Sequence, residues 1–409
     1  MASLSENSGS LLSTTHLTPS VPKSFLESAL IIAPNIRSQL NIKTLWNLFR
    51  CGDQISMVKL WFDILTPKQA KLFGHMSLEL KRRGFDTIVT AREYDYTIPV
   101  LKSLGVEFMV IGRYAVGLRE KLLEEAKRTI ELLHSVNDFD ALLAFPNPVA
   151  ARMAFGLGKA YIAFTDSPHS EAPSRLSLPL ASAVIFSSCI PKSEIEKYVI
   201  KDKTLLVQFK GVDEVEWLKD SLFDTNYIKK WGLEPHSYVI IRPPEVKASY
   251  YKYDNQDVHN FIIRIIELAI KSGYKVLYLP RYIDDHIAKN FALREFIVPS
   301  SEGVDGTKVA YYARAVISGG GTMAREAALL GTPGVSIFPS ELHVNKCVSE
   351  WGFPLWHLAD LAEAYITIRN ILKLHDNEIE LYKERAKELL RGLESPLDAL
   401  NNVLKAILR

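Results

Sequence analysis

From Met57 onward the chain alternates short apolar runs with helical segments, most of them ten or more residues long. That alternation constrains the fold more than any other feature of its 409 residues. Strands separated by that much helix pair in parallel through right-handed crossovers, because a hairpin needs a short turn. Residues 58–64 form an apolar run suited to burial on both faces. The pattern then predicts helix over 67–83, closed by Gly84, strand over 85–91, helix over 94–104 and strand over 106–111. Leu118, Leu122, Ala126, Ile130 and Leu133 form one apolar stripe at helical spacing, with Glu124 and Arg128 as an i,i+4 pair on another face. Further strands are expected at 141–145, 161–164, 183–186 and 205–209. Residues 57–210 thus read as one doubly wound, Rossmann-like α/β domain.

Residues 211–236 are more charged and break the rhythm, so they read as a connection. A second series then begins, with strands at 238–241, 276–279, 295–298, 315–318 and 335–338 and helices at 258–272 and 323–330. Residues 237–375 make a second Rossmann-like domain. Helices over 376–409 follow, and they are candidates to pack back on the first domain. In that region Ser395 is a natural N-cap, with Pro396 at the first helical position and Asp398 in the first turn. Two such domains place a cleft between the carboxyl ends of their strands, where ligands bind in sheets of this kind.

Composition narrows the function. Lys and Arg total 49 against 47 Asp and Glu, a net charge of +2, which argues against a dedicated nucleic-acid binder. The most apolar stretch, 176–190, carries Pro179 and four serines, and no run of about 18 apolar residues suggests a membrane span. Cys51, Cys189 and Cys347 are odd in number and far apart. This spacing predicts neither a disulfide framework nor a zinc ribbon, and favours a reducing, cytoplasmic setting. Residues 1–22 are rich in Ser and Thr without a secretory pattern. Residues 1–56 are read as a disordered or dispensable extension, with Met57 as an alternative start.

The segment richest in chemistry is Ser318-Gly319-Gly320-Gly321-Thr322-Met323-Ala324-Arg325-Glu326. A strand ends in three glycines and a helix begins at once, so backbone N–H groups and the positive helix end can meet a diphosphate. The plain structural alternative is a tight turn with Thr322 as N-cap. A capping box is not available, because three residues after Thr322 stands Arg325. Glu326, one turn in, can accept hydrogen bonds from ribose hydroxyls. Asp166-Ser167-Pro168-His169 follows a predicted strand and offers a base and its partner, or simply a polar turn. Asp63 ends the first strand and also faces the cleft. Arg242 and Arg281 end the first two strands of the second domain and suit a diphosphate oxygen. Arg92 stands in the same position after the second strand, as an ion-pair partner or a ligand contact. His343 lies in a loop near the expected sugar. Asp138-Phe139-Asp140 has the spacing of a metal-holding motif but stands at the far end of the sheet. Asp284-Asp285-His286 lacks a third ligand, so no metal or other cofactor is predicted. Walker, HExxH, GxSxG and GxGxxG motifs are missing from the sequence.

Residues 319–333 resemble the second-domain motif of GT-B sugar-nucleotide enzymes, such as MurG-type N-acetylglucosaminyl transferases and UDP-N-acetylglucosamine 2-epimerases. In those families the glycines meet the diphosphate and a helix glutamate, matched here by Glu326, binds the ribose. From about Met57 to the 390s the chain also resembles a mainly archaeal family known as domain of unknown function 354. The stretches that carry this include Trp61-Phe62-Asp63-Ile64, Val89-Thr90-Ala91-Arg92-Glu93, Phe164-Thr165-Asp166-Ser167-Pro168-His169, Leu178-Pro179-Leu180-Ala181, Lys210-Gly211-Val212-Asp213-Glu214 and Ile241-Arg242-Pro243-Pro244. The MurG-type Gly-rich loop after the first strand has no counterpart at Asp63-Ile64-Leu65-Thr66-Pro67-Lys68-Gln69.

The resemblance implies a GT-B-like fold of two Rossmann-like domains facing across a cleft. Three functions stay open. One is a metal-independent glycosyltransferase using a nucleotide-diphosphate sugar, a UDP-sugar first, with Gly319, Gly320, Gly321, Thr322, Arg325, Glu326, Arg242, Arg281, His343 and Arg92 binding substrate. In it Asp63, Asp166 or His169 activates an acceptor left unidentified. The second is a nucleotide-sugar 2-epimerase using Asp63, Asp166 and Glu171. The third is a nucleotide-sugar binding protein without catalysis. Oligomeric state is left open.

Overall fold

The computed structural model describes residues 57–245, 255–281, 285–291, 293–299 and 304–408. The expectation for residues 1–56 and the aspartate Asp284 lie outside them. Among the described residues, seven strands form the first sheet: β1 (Lys59–Ile64), β2 (Asp86–Glu93), β3 (Met109–Arg113), β4 (Ala141–Ala144), β5 (Ala160–Thr165), β6 (Ala183–Ser187) and β7 (Leu205–Phe209). Their order is β3-β2-β1-β4-β5-β6-β7, and every pairing is parallel. The crossovers carry α1 (Pro67–Arg82), α2 (Thr97–Ser103), α3 (Leu118–Ser135), α4 (Pro148–Gly156), α5 (Glu171–Ser177) and α6 (Lys192–Glu196). Short helices α7 (Val215–Leu218) and α8 (Asn226–Lys229) lead onward.

The second sheet holds β8 (Tyr238–Arg242), β9 (Lys275–Tyr278), β10 (Phe296–Ile297), β11 (Ala315–Ser318), β12 (Gly334–Ser336) and β13 (Leu355–His357), in the order β10-β9-β8-β11-β12-β13. Its helices are α9 (Asn255–Lys271), α10 (His286–Asn290), α11 (Gly306–Tyr312), α12 (Gly321–Leu329), α13 (His343–Glu350), α14 (Leu361–Ile371), α15 (Asp376–Arg391) and α16 (Pro396–Ile407). Both sheets reverse strand order beside their first strand, at β1/β4 and β8/β11. A crevice opens at such switch points.

The physics of each layer is ordinary. In β1, Leu60, Trp61, Phe62 and Ile64 are all fully buried, as a strand covered on both faces requires. Phe73 of α1 sits among Phe62, Phe145 and Phe164, with ring centroids 5.4 to 5.7 Å away. In the second sheet, Val239, Ile241 and Ile317 pack on one face with α9, while Tyr238, Ile240 and Val316 pack on the other with α11. After α15 the chain crosses back. The Glu394 N–H donates to Lys210 O at 2.7 Å, and α16 lies against β6 and β7, capped by the Ser395 hydroxyl in a full capping box.

Two expectations are corrected here. The apolar stripe on α3 faces solvent: Leu118 is 89% and Leu122 68% exposed, and Leu123, Ile130 and Leu133 are exposed too. The buried residues of this helix are Arg128 and Leu132. A buried charge has turned the helix, as described below. The second correction is a disulfide between Cys189 and Cys347, with Cα atoms 5.5 Å apart. The two residues are 158 apart in sequence, so spacing could not reveal that the turn after β6 meets α13.

Candidate functional site

The carboxyl ends of both sheets enclose a cavity of about 620 Å³. From the first sheet it is lined by Leu65, Lys68 and Lys71 beyond β1, Arg92 at the end of β2 and Tyr94 beyond it, and Asp166 and His169 beyond β5. From the second it is lined by Arg242, Arg281, Gly320, Gly321, Thr322, Arg325 and Glu326.

The glycine turn is built for close approach. A side chain on Gly319 would meet the Pro244 backbone at 2.2 Å, so this glycine lets the loop after β8 close over the turn. Gly320 is the N-cap of α12 in extended backbone, and it offers no side-chain cap. Thr322 is therefore not the N-cap, as the turn reading supposed, but a first-turn residue. The helix starts two residues earlier, and Ser318 Oγ accepts the Gly320 N–H at 3.2 Å. Among the described residues, no side chain caps the start of α12, and its first turn belongs to the cavity wall, where an anion would satisfy the free N–H groups.

Glu326 is 3% exposed. Its Oε1 accepts Lys71 Nζ at 2.7 Å and Trp217 Nε1 at 2.9 Å. Lys71 also donates to Thr307 Oγ1 at 2.9 Å. Burial pushes the Glu326 carboxyl up, against the pull of Lys71. Beside it Arg325 donates to Glu214 Oε1 through Nε at 3.0 Å and Nη2 at 2.6 Å, and to Asn345 Oδ1 at 2.8 Å. Arg325 thus orders the cavity floor rather than reaching into open space.

Lys68, one turn from Lys71, donates to Asp166 Oδ2 and to Asp213 Oδ2, the latter at 2.7 Å. Burial raises the Asp166 carboxyl, but Lys68 and Arg325 more than reverse this and hold it well below the usual carboxylate range. Asp213 goes the other way: burial, with Asp166 and Glu214 nearby, pushes it up to about 6 despite Lys68. Five charged groups share one enclosed volume, three acids and two bases, and the surplus negative charge falls on Asp213. His169 lines the cavity near Phe338, with ring centroids 6.2 Å apart, and burial lowers its pKa against the opposing pull of Asp166. A proton acceptor at neutral pH is what that produces.

Arg242 and Arg281 brace each other's loops. Arg242 Nη1 donates to Pro280 O at 3.0 Å, and Arg281 Nε donates to Pro243 O at 2.9 Å. Arg242 pairs with Asp95 at 3.5 Å and Arg281 with Glu245 at 3.9 Å.

Not every residue singled out in the sequence reaches the cavity. Asp63 is 1% exposed and is not among the lining residues. Arg128 holds both its oxygens, at 2.5 and 2.9 Å, and Thr90 and Asn147 add bonds of 2.6 and 2.7 Å. With no lone pair directed at a substrate, Asp63 is a structural anchor rather than a base. Its need for a counter-charge is what turns α3 inward on Arg128. Gly112, at φ +76, gives that side chain room: a Cβ there would lie 2.7 Å from Arg128 Cδ. Gly319 and His343 also lie off the wall, His343 close enough to affect the charge of His169. Glu171 is exposed and paired with Arg175 at 3.2 Å.

Sequence reading missed Lys68, Lys71, Asp213, Glu214, Trp217 and Asn345. The lysines carried a signal, two cations three apart near the start of a helix at a switch point. Asp213 and Glu214 stood in a stretch that looked like connection because it was charged; their charges are buried.

Two doubly wound parallel sheets facing across a cleft define a GT-B-like α/β protein. Residues 58–401 match the family described as Protein of unknown function (DUF354), and the chain belongs to that family. An uncharacterised protein of Methanocaldococcus jannaschii, MJ0665, is 26% identical over 289 residues, 69% of this chain and 82% of that protein. The UDP-GlcNAc 2-epimerase from Neisseria meningitidis bound to UDP-GlcNAc superposes with a TM-score of 0.55 at 15% identity, over 86% of this chain and 100% of that one. Spinosyn forosaminyltransferase SpnP superposes with a TM-score of 0.56 at 12% identity, over 87% of this chain and 100% of that one. Likeness at this level of identity establishes fold.

Proposed function

We propose that the chain is a metal-independent glycosyltransferase that uses a nucleotide-diphosphate sugar, with a UDP-sugar as the first choice. The observation that carries this is one wall of the cavity. There the uncapped start of α12, Glu326, Arg242 and Arg281 stand together, the set a diphosphate and a ribose require. The arginines and the helix end supply positive charge for the leaving diphosphate. Ribose hydroxyls meet Glu326 by sharing it with Lys71 or displacing that lysine. His169, kept neutral by burial, takes the proton of the acceptor hydroxyl, and Asp166 orients the site through Lys68 rather than acting as the base. The acceptor is a separate molecule, entering beside the first sheet.

The test is ligand-induced thermal stabilisation against UDP-, GDP-, dTDP- and CMP-sugars, in the wild type and Glu326→Ala. A ligand at about 100 times its dissociation constant adds roughly 2.7 kcal/mol. Stabilisation by one nucleotide class, lost in Glu326→Ala, is the expected result; no response to any of them removes the reading. The fold is shared with a UDP-GlcNAc 2-epimerase, which keeps that chemistry as the second reading. Free UDP with an epimerised sugar, formed from UDP-GlcNAc alone, would favour it. The positions of Asp63 and Glu171 speak against it, since neither offers a carboxylate to the cavity. Turnover that vanishes in His169→Gln would exclude a binding protein without catalysis.

A further inference from the structure

Six basic side chains line the cavity, and five have a carboxylate within 4.0 Å: Lys68, Lys71, Arg242, Arg281 and Arg325. Among the described residues, Arg92 has none. Its guanidinium lies 5.5 Å from the ring centre of Tyr94 and 5.3 Å from that of Tyr114. One Nη2 bond to Leu65 O, at 3.3 Å, ties it to the backbone after β1, and its Nε is enclosed without a hydrogen-bond partner. The buried acid Asp63 is already taken up by Arg128. A cation desolvated against two aromatic faces and left without its counter-charge is costly unless an anion arrives. Its place is the end of β2, on the first-sheet side, opposite the wall assigned to the nucleotide. The planar fork suits an oxyanion, and the tyrosine rings lie within cation–π reach of it.

We propose that Arg92 holds the anionic group of the acceptor, so that the sugar is transferred to a molecule bearing a phosphate or carboxylate beside its reacting hydroxyl. This rests on the nucleotide-sugar reading above, and it adds a substrate class to the half of the site that reading leaves open.

The experiment saturates the full chain with UDP and titrates it by calorimetry with inorganic phosphate and, separately, with acetate. The wild type, Arg92→Gln and Arg92→Lys are compared. Phosphate or acetate should bind the UDP-loaded wild type saturably, and the tighter of the two names the anion. Arg92→Gln should weaken that binding about tenfold or more, the usual scale for losing a charge-assisted arginine pair. Arg92→Lys should fall between, because it keeps the charge and loses the fork. UDP affinity should stay within about twofold in both. Unchanged anion binding in Arg92→Gln, or no anion binding in the wild type, overturns the proposal. A parallel loss of UDP affinity overturns it too, by moving Arg92 to the donor. If UDP does not bind at all, the nucleotide reading fails, and the same titrations without UDP still decide whether Arg92 holds an anion. Should Arg92→Gln not fold, Arg92→Lys gives the answer by its weaker binding.

Discussion

Asp63 and Asp166 both end apolar strands and look alike in the sequence. Their environments part them. Asp63 is enclosed by Arg128, Thr90 and Asn147, and removing one partner of such a buried pair typically costs about 3–5 kcal/mol. Asp166 stands at the cavity, tied to Lys68 and Arg325. A third acid, Glu216, shows what burial does where no cation is bound directly to it. It accepts the Ser395 hydroxyl, yet burial pushes it up to about 7 from a usual 4.5. The folded protein therefore holds a proton that the unfolded chain releases. The associated stability is complete below about pH 4.5 and is lost as pH rises through 7. Glu216→Gln should remove this loss. The difference in unfolding free energy between variant and wild type should grow from pH 5 to pH 8 in the variant's favour, by an amount on the order of 2–3 kcal/mol. A difference independent of pH would refute the assignment.

At the scale of elements, the active geometry depends on how α12 sits on β12. Gly334 permits it: a Cβ there would lie 2.2 Å from the backbone oxygen of Ala324. Backbone cannot yield as a side-chain tip can, so Gly334→Ala must push α12 away from the sheet. The expected cost is about 1–3 kcal/mol, the usual scale of overpacking. Nucleotide affinity should drop as well, because Glu326 moves with the helix. A variant that melts like the wild type and binds like it would show that α12 has more slack than this contact allows. The other instructive element is α3. Its apolar stripe promises a face turned to the core, but Arg128 outbids the leucines for the interior. Turning the stripe inward would take Arg128 from Asp63, and leaving that buried carboxylate uncompensated typically costs about 3–5 kcal/mol.

For the whole molecule, the two sheets are joined across the cleft by Lys71–Glu326, by Arg325–Asp166 and by the Cys189–Cys347 disulfide. The bridge closes a loop of 158 residues, and in the chain-entropy account a link that long contributes about 4–5 kcal/mol. Reduction should lower the melting temperature of the wild type by several degrees. Cys347→Ser should melt like the reduced wild type and cease to respond to reductant. If reductant leaves the wild type unchanged, the bridge carries no stability.

The order of strands and helices was legible because alternation is local: an apolar run and a helical stripe each reveal themselves within about ten residues. The three glycines and Glu326 were legible for the same reason, since turn, helix start and carboxylate lie within eight positions. β13, three residues long, left no such trace. What the tertiary structure alone decided is pairing. That Asp63 belongs to Arg128, that Lys71 reaches Glu326 across 255 residues, that Cys189 finds Cys347 and that Arg92 finds no acid among the described residues are facts about partners far apart in the chain. Charge is written in the sequence, but its burial and its counter-charge are fixed only when the two sheets meet, and those decide which of these groups can do chemistry.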